Sequence, residues 1–220
     1  MTVWFTSDLH LGHENIIEHQ GRPFRDAEHM AQALIANINS AVLQRDTLYI
    51  LGDFTMKVNG KEAARLRHRI NCREVHLVRG NHDKKWQGET CPFSTVSDYL
   101  EIRLGPDRVG TVLMHYPIEH WNGSHHGSIH LHGHIHADAA YNRKAIEESR
   151  RKFDVGVDAN GYMPVSEHQV LQWAGLGSAT RYREPMRNAR LCARIKTTTS
   201  PPAPMQTDEV PLSPTYALSR

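Results

Sequence analysis

Five short apolar runs in this chain each stop at a small group of Asp, Asn, His and Gly residues. Val3 to Ser7 leads into Asp8-Leu9-His10, Thr47 to Leu51 into Gly52-Asp53, and Val75 to Val78 into Gly80-Asn81-His82-Asp83. Val109 to Met114 is followed by His115, and Ile129 to His132 by Gly133-His134-Ile135-His136. Short runs rich in β-branched and aromatic residues predict buried strands. Between the first two, Met30, Leu34, Ile38 and Val42 recur one helical turn apart behind Asp26, whose carboxylate suits the open amides of a first turn. Asn59 opens a second helix, with Glu62 as capping-box partner and Leu66 and Ile70 on its apolar face. Strand alternating with helix predicts βαβ units. The later sequence is richer in strand, adding Val96 to Leu104 and Phe153 to Val157 before Ser166 and Gln169 cap a short helix ending near Gly175. Sheets packed on each other with helices outside are expected.

A chain of 220 residues with 39% hydrophobic content can bury one sizeable core. That domain is expected over residues 1–178. From about Ala179 six basic residues, Arg181 to Lys196, stand against the single acid Glu184, and residues 197–220 are rich in Thr, Ser and Pro. Such a stretch cannot bury enough apolar area to offset its ordering entropy, so 179–220 is expected to be a disordered, solvated tail. A formal charge of +2 gives no bulk attraction to nucleic acid or to a membrane. The three cysteines, Cys72, Cys91 and Cys192, have no CxxC spacing, which argues against a disulfide framework or a thiolate zinc site. With no basic leader before Asp8 and no apolar run near the roughly 20 residues needed to span a bilayer, a cytoplasmic protein is expected.

Histidine is the compositional outlier: 16 are present, against 7 lysines. Imidazole is the commonest metal ligand, and the strand-end groups are rich in it. Ligands of open α/β sheets bind beyond the carboxyl ends of strands, so these groups can meet in one crevice. Residues i and i+2 on an extended segment share a side, which would bring Asp8 to His10 and His134 to His136. Asp53, alone on its strand end, is the natural carboxylate to bridge two cations. Mixed nitrogen and oxygen ligation without thiolate suits Mn, Fe, Zn, Co or Ni better than Ca or Mg.

The ordered set D-x-H, G-D, G-N-H-D, H and G-H-x-H, intact from Thr2 to about Gly177, resembles the calcineurin-like metallophosphoesterase superfamily. Ser7 to Asn15 and Arg22-Pro23-Phe24 look like a bacterial and phage branch of small members. The resemblance implies an α/β fold with α+β character, a four-layer αββα sandwich of two packed mixed β-sheets. It also implies two divalent metal ions, Mn foremost. Asp8, His10 and His136 would hold the first, Asn81, His115 and His134 the second, with Asp53 bridging. His82 would protonate the leaving oxygen while water activated between the cations attacks, and Asp83 would orient the His82 ring.

Of the remaining histidines, His132 is expected to be a buried structural residue or to support a ligand, and His130 is left open. Substrate contacts are expected from His13, Arg22, His120, Trp121 and Asn122, which lie beside the motifs. Arg22 could clamp a phosphate and Trp121 stack on a base. The expected activity is phosphodiester hydrolysis on a nucleotide or other small phosphodiester. A phosphomonoesterase or nuclease on the same centre is the alternative, and a non-catalytic metal-binding scaffold comes third.

Overall fold

The computed structural model describes residues 1–83 and 92–176. The expected tail, Cys91 and Cys192 lie outside these residues.

The first strand, β1 (Val3–Thr6), is followed by a short helix α1 (Asn15–His19) and by α2 (Ala27–Ala41). Asp26 starts α2 as expected: its backbone is extended and its carboxylate accepts from His29 N at 2.7 Å. Met30, Leu34 and Ile38 form the buried face. β2 (Thr47–Ile50), α3 (Gly60–His68) and β3 (Glu74–Val78) complete two βαβ units. Asn59 caps α3 by accepting from Glu62 N, but the Glu62 carboxylate pairs forward with Arg65 at 3.1 Å, so the expected reciprocal half of the box does not form.

The run expected as one strand from Val96 to Leu104 is two. β4 (Thr95–Ser97) lies parallel to β3, and β5 (Leu100–Leu104) begins the second sheet. β6 (Val109–Leu113), β7 (Ile129–His132), α4 (Ala139–Glu147), β8 (Lys152–Asp154), β9 (Val165–Ser166) and α5 (Glu167–Trp173) follow. The box expected before α5 is complete: Ser166 and Gln169 satisfy each other's backbone amides.

Two mixed sheets result, β4-β3-β2-β1-β9 and β5-β6-β7-β8. β9 is antiparallel in the first and β5 in the second, and the other pairings are parallel. Alternation sorts the first sheet's side chains into two cores. Trp4, Leu48, Ile50, Val75 and Leu77 pack with the apolar faces of α2 and α3. Phe5, Leu51, Val78 and Val165 pack with Leu104, Leu113, Ile129, Leu131 and Phe153 of the second sheet. α4 packs against β8, and α5 adds Val170 and Leu171 to the core between the sheets. The architecture is the expected α/β sandwich. Among the described residues no helix is long and apolar enough to cross a membrane.

Candidate metal centre

The strand ends do converge, though not by pleat alternation. β1 stops at Thr6 and β7 at His132, so neither motif pair stands on an extended strand. Asp8, His10, Asp53, His134 and His136 all have positive φ, between 46° and 74°. They are five of the nine non-glycine residues of that kind among those described. Each such conformation costs on the order of 1–3 kcal/mol and persists only where surrounding contacts over-determine it. Glycine makes the approach possible. A side chain on Gly80 would collide with the Asp53 carboxylate, and one on Gly133 with the Asp8 carboxylate.

Asp8, His10 and His136 offer ligand atoms within 4.8 Å of one another, as do Asp8, Asp53 and His115. His10, Asp53 and His82 form a third such group. Asp53 is central. Its Oδ1 accepts from His82 N at 3.0 Å, while Oδ2 stands 3.5 Å from His10 Nε2 and 3.5 Å from His115 Nε2. On one side His10 Nε2 and His136 Nε2 are 3.3 Å apart. On the other, Asn81 Oδ1 lies 3.0 Å from both His115 Nε2 and His134 Nδ1. The His134 amide donates to both oxygens of Asp8, tying the first and last motifs together. The seven expected ligands are thus brought to one place.

The donor set fits a cation at the His115 side. His115 Nδ1 donates to Leu51 O at 2.8 Å, which leaves Nε2 as an acceptor. That acceptor faces two others, Asn81 Oδ1 and Asp53 Oδ2, with no proton to share between them. Burial lowers the His115 pKa, so the ring is neutral. His10 is buried, its pKa is pushed down to about 2 by desolvation and then by the charge of His136, and its Nδ1 has no partner. Burial pushes Asp8 up to about 8. For His136, burial lowers the pKa, but the hydrogen bond to Asp158 and the charges of Asp8 and Asp158 prevail and raise it. Protons on Asp8 and His136 therefore stand where a cation would neutralise the cluster.

Two residues that the sequence reading passed over, Asp154 and Asp158, organise this side of the site together with Arg22. The Arg22 guanidinium places all five of its donors: Nε and one Nη2 proton on Asp158 at 2.8 Å each, the other Nη2 proton on Asp8 O at 2.8 Å, and Nη1 on Leu9 O and Met30 Sδ. Arg22 was expected as a phosphate clamp; with its donors consumed and the residue buried, it is a strut under the Asp8 turn. Asp158 accepts from His136 Nδ1 at 2.8 Å, which aims Nε2 at His10. Burial would raise Asp158, but the bonds from His136 and Arg22 outweigh it and hold the group below its ordinary range. Asp154, also buried, accepts from Gly156 N and Ala137 N and is pushed to about 6 by burial. Asp154 ends β8 and Asp158 follows it in Asp154-Val155-Gly156-Val157-Asp158, a strand running into polar residues as in the five motifs.

Other expectations are corrected. The Asp83 carboxylate does not orient the His82 ring, because it accepts backbone N–H groups of Asp53, Phe54 and Gly80 and so fixes the turns that carry Asp53 and Asn81. His82 itself is exposed at the mouth, with Nε2 3.9 Å from Asp53 Oδ2 and its ring against His10. Trp121 donates to Ser128 Oγ at 3.0 Å and packs on His130, Asn122 donates to Glu101, and His120 is exposed beside His125. These contacts engage Trp121 and Asn122 away from the cluster. His13 does adjoin it, its ring 5.6 Å from that of His10 and its buried Nδ1 unpartnered. His130 and His132 are structural: the first donates to Val112 O and accepts from Ile118 N, the second donates to Gly133 O and accepts from Tyr141.

No protein-family model matches the chain. It is 31% identical over 179 residues to the uncharacterized protein MJ1445 of Methanocaldococcus jannaschii, an alignment covering 81% of this chain and 94% of that protein. The chain belongs to the family of this archaeal protein. The chain is also similar to a phage sequence: the Gene 66 protein of Mycobacterium phage L5 is 29% identical over 195 residues, covering 76% of this chain and 91% of its own length. Among solved structures, the protein of unknown function AQ665 from Aquifex aeolicus superposes with a TM-score of 0.62 at 26% identity, over 78% of this chain and 98% of that one. No name in this group carries an activity, so function rests on the site.

Proposed function

We propose that the chain is a metal-dependent phosphoester hydrolase of the calcineurin-like kind, acting first on a nucleotide or other small phosphodiester. The observation that carries this reading is the Asp53 carboxylate, whose Oδ2 stands between His10 and His115 with further nitrogen and oxygen donors beyond each. Asp8, His10 and His136 would hold one divalent cation and Asn81, His115 and His134 a second, with Asp53 shared. Nitrogen and oxygen donors without thiolate suit Mn, Fe, Zn, Co or Ni. Bound there, the pair would supply water activation near neutral pH and neutralise charge on a phosphoryl group.

The chain's own residues do the rest. Leu51 O and Asp158 fix which nitrogen His115 and His136 present. Burial of Asp8, His10 and His115 keeps bulk water from competing for their ligand atoms. His82, exposed at the edge, is placed to give a proton to a departing alcohol; its amide bond to Asp53 sets its distance from the centre. His13 lines the same mouth.

The test is hydrolysis of bis-p-nitrophenyl phosphate beside p-nitrophenyl phosphate by Mn-loaded protein. Faster turnover of the diester, lost on chelation, is expected. Faster turnover of the monoester would move the assignment to a phosphatase. No turnover of either with any of the five metals would leave the scaffold reading.

A further inference from the structure

A second polar site lies at the other end of the second sheet. β6 begins at Val109 and ends before His115; β7 begins after Ser128 and ends before His134. The beginnings of these strands are therefore a strand length, roughly 15 Å, from the metal cluster. They border a cavity of about 470 Å³. The register Arg103↔Gly110 and Glu101↔Val112 puts these four residues on the same face of the β5–β6 pair, opposite the face of Leu104 and Leu113 that fills the core. Gly110 leaves the floor low: a Cβ there would press on the Arg103 guanidinium and on Ser128.

Three arginines line the space, Arg103, Arg108 and Arg151. Arginine ion pairs among the described residues are those of Arg22, Arg25, Arg65, Arg69, Arg79 and Arg150; none of the three takes part. Backbone carbonyls hold two of them instead: Arg103 donates to Arg108 O at 3.4 Å and Arg151 to Gly127 O. Each bond uses one donor of its guanidinium, and the Arg103 charge also acts on the nearby Glu101 carboxylate. The carboxylate that does line the cavity, Glu101, already accepts from Tyr99 and Asn122. Val112, on the same face as Glu101 and Arg103, supplies an apolar wall. The sequence that follows Leu176 is itself basic through Lys196, so its charge does not complement this rim.

We infer that this cavity binds a phosphate-bearing small molecule, its phosphate held by Arg103 and Arg151 and its body against the apolar wall. Guanidinium groups match phosphate bidentately, and a volume of this order is that of a small-ligand site. The inference does not depend on the metal reading.

Calorimetric titration of the full chain, in chelator so that no metal competes for anions, is the test, with inorganic phosphate and AMP as separate probes. Saturable binding of one equivalent is expected, weakened about tenfold or more by Arg103→Ser or Arg151→Ser, because each change removes charge-assisted hydrogen bonds to the phosphate. Arg103→Lys should fall between, which separates loss of the planar fork from loss of fold. Arg65→Ser on α3 removes the same charge elsewhere and should leave affinity unchanged. Tighter binding of AMP would assign the ligand as an organic phosphate, and equal binding would assign phosphate itself. Absence of saturation by either probe, or equal losses in Arg65→Ser, overturns the inference.

Discussion

His82 and Arg22 are the two side chains whose roles separate most clearly. His82 is exposed and contributes a backbone hydrogen bond that substitution leaves in place. His82→Ala should therefore lower kcat on a diester with a poor leaving group by about 10²–10⁴ while bound Mn stays constant. Full activity in that variant would remove the general-acid role. Arg22 makes no contact that a substrate would displace, and its fork spans Asp158 and the Asp8 carbonyl. Arg22→Lys keeps charge but cannot make those bonds together. Mn affinity, measured by calorimetry, should fall about 10–100-fold, the usual effect of losing a group that orients a ligand; unchanged affinity would count against the strut. The protons on Asp8 and His136 give a further handle. Asp8, raised to about 8, contributes stability to the metal-free protein that is complete below its unfolded value of 3.8 and is lost as pH rises through 8. His10, lowered to about 2, acts in the opposite sense, but its contribution is complete above 6.5. Between pH 6.5 and 8 the metal-free protein should lose thermal stability while Mn affinity rises, because the metal displaces those protons. A flat Mn affinity across that window would contradict the assignment.

At the scale of elements, legibility followed the strength of local signals. α2 was readable because four apolar residues recur at one turn behind a capping Asp26. Asp26→Ala should destabilise the fold by loss of the cap, seen as a lowered denaturation midpoint with unchanged slope. The Val96 to Leu104 run concealed its break because Asp98-Tyr99 carries neither Gly nor Pro, and only the switch from one sheet to the other divides β4 from β5. β9, two residues long, is too short for any period to register. α4 buries just Asn142 and Ala145, so its apolar stripe was invisible, although Asp138 accepting from Ala140 N was a cap that sequence could have flagged. That the seven side chains expected as ligands would lie at strand ends and meet was legible from motif order. Their geometry was not, because the convergence comes from left-handed turns and not from the pleat. Asp154 and Asp158 were missed, and Arg22 was read as a phosphate clamp, because their partners are distant in sequence: Asp158 meets Arg22 across 136 positions.

For the whole molecule, the two sheets place opposite chemistry at their two ends. The carboxyl ends of β1, β2, β3, β6 and β7 gather Asp, Asn and His around buried Asp53, while the starts of β6 and β7 border a cavity lined by Arg103, Arg108 and Arg151. The function proposed for the first of these depends on two cations sharing one carboxylate. Anomalous scattering from a crystal of the Mn-loaded protein addresses that directly. Two Mn peaks are expected, one among Asp8, His10 and His136 and one among Asn81, His115 and His134, with Asp53 reaching both. A single peak, or peaks away from Asp53, would contradict the account.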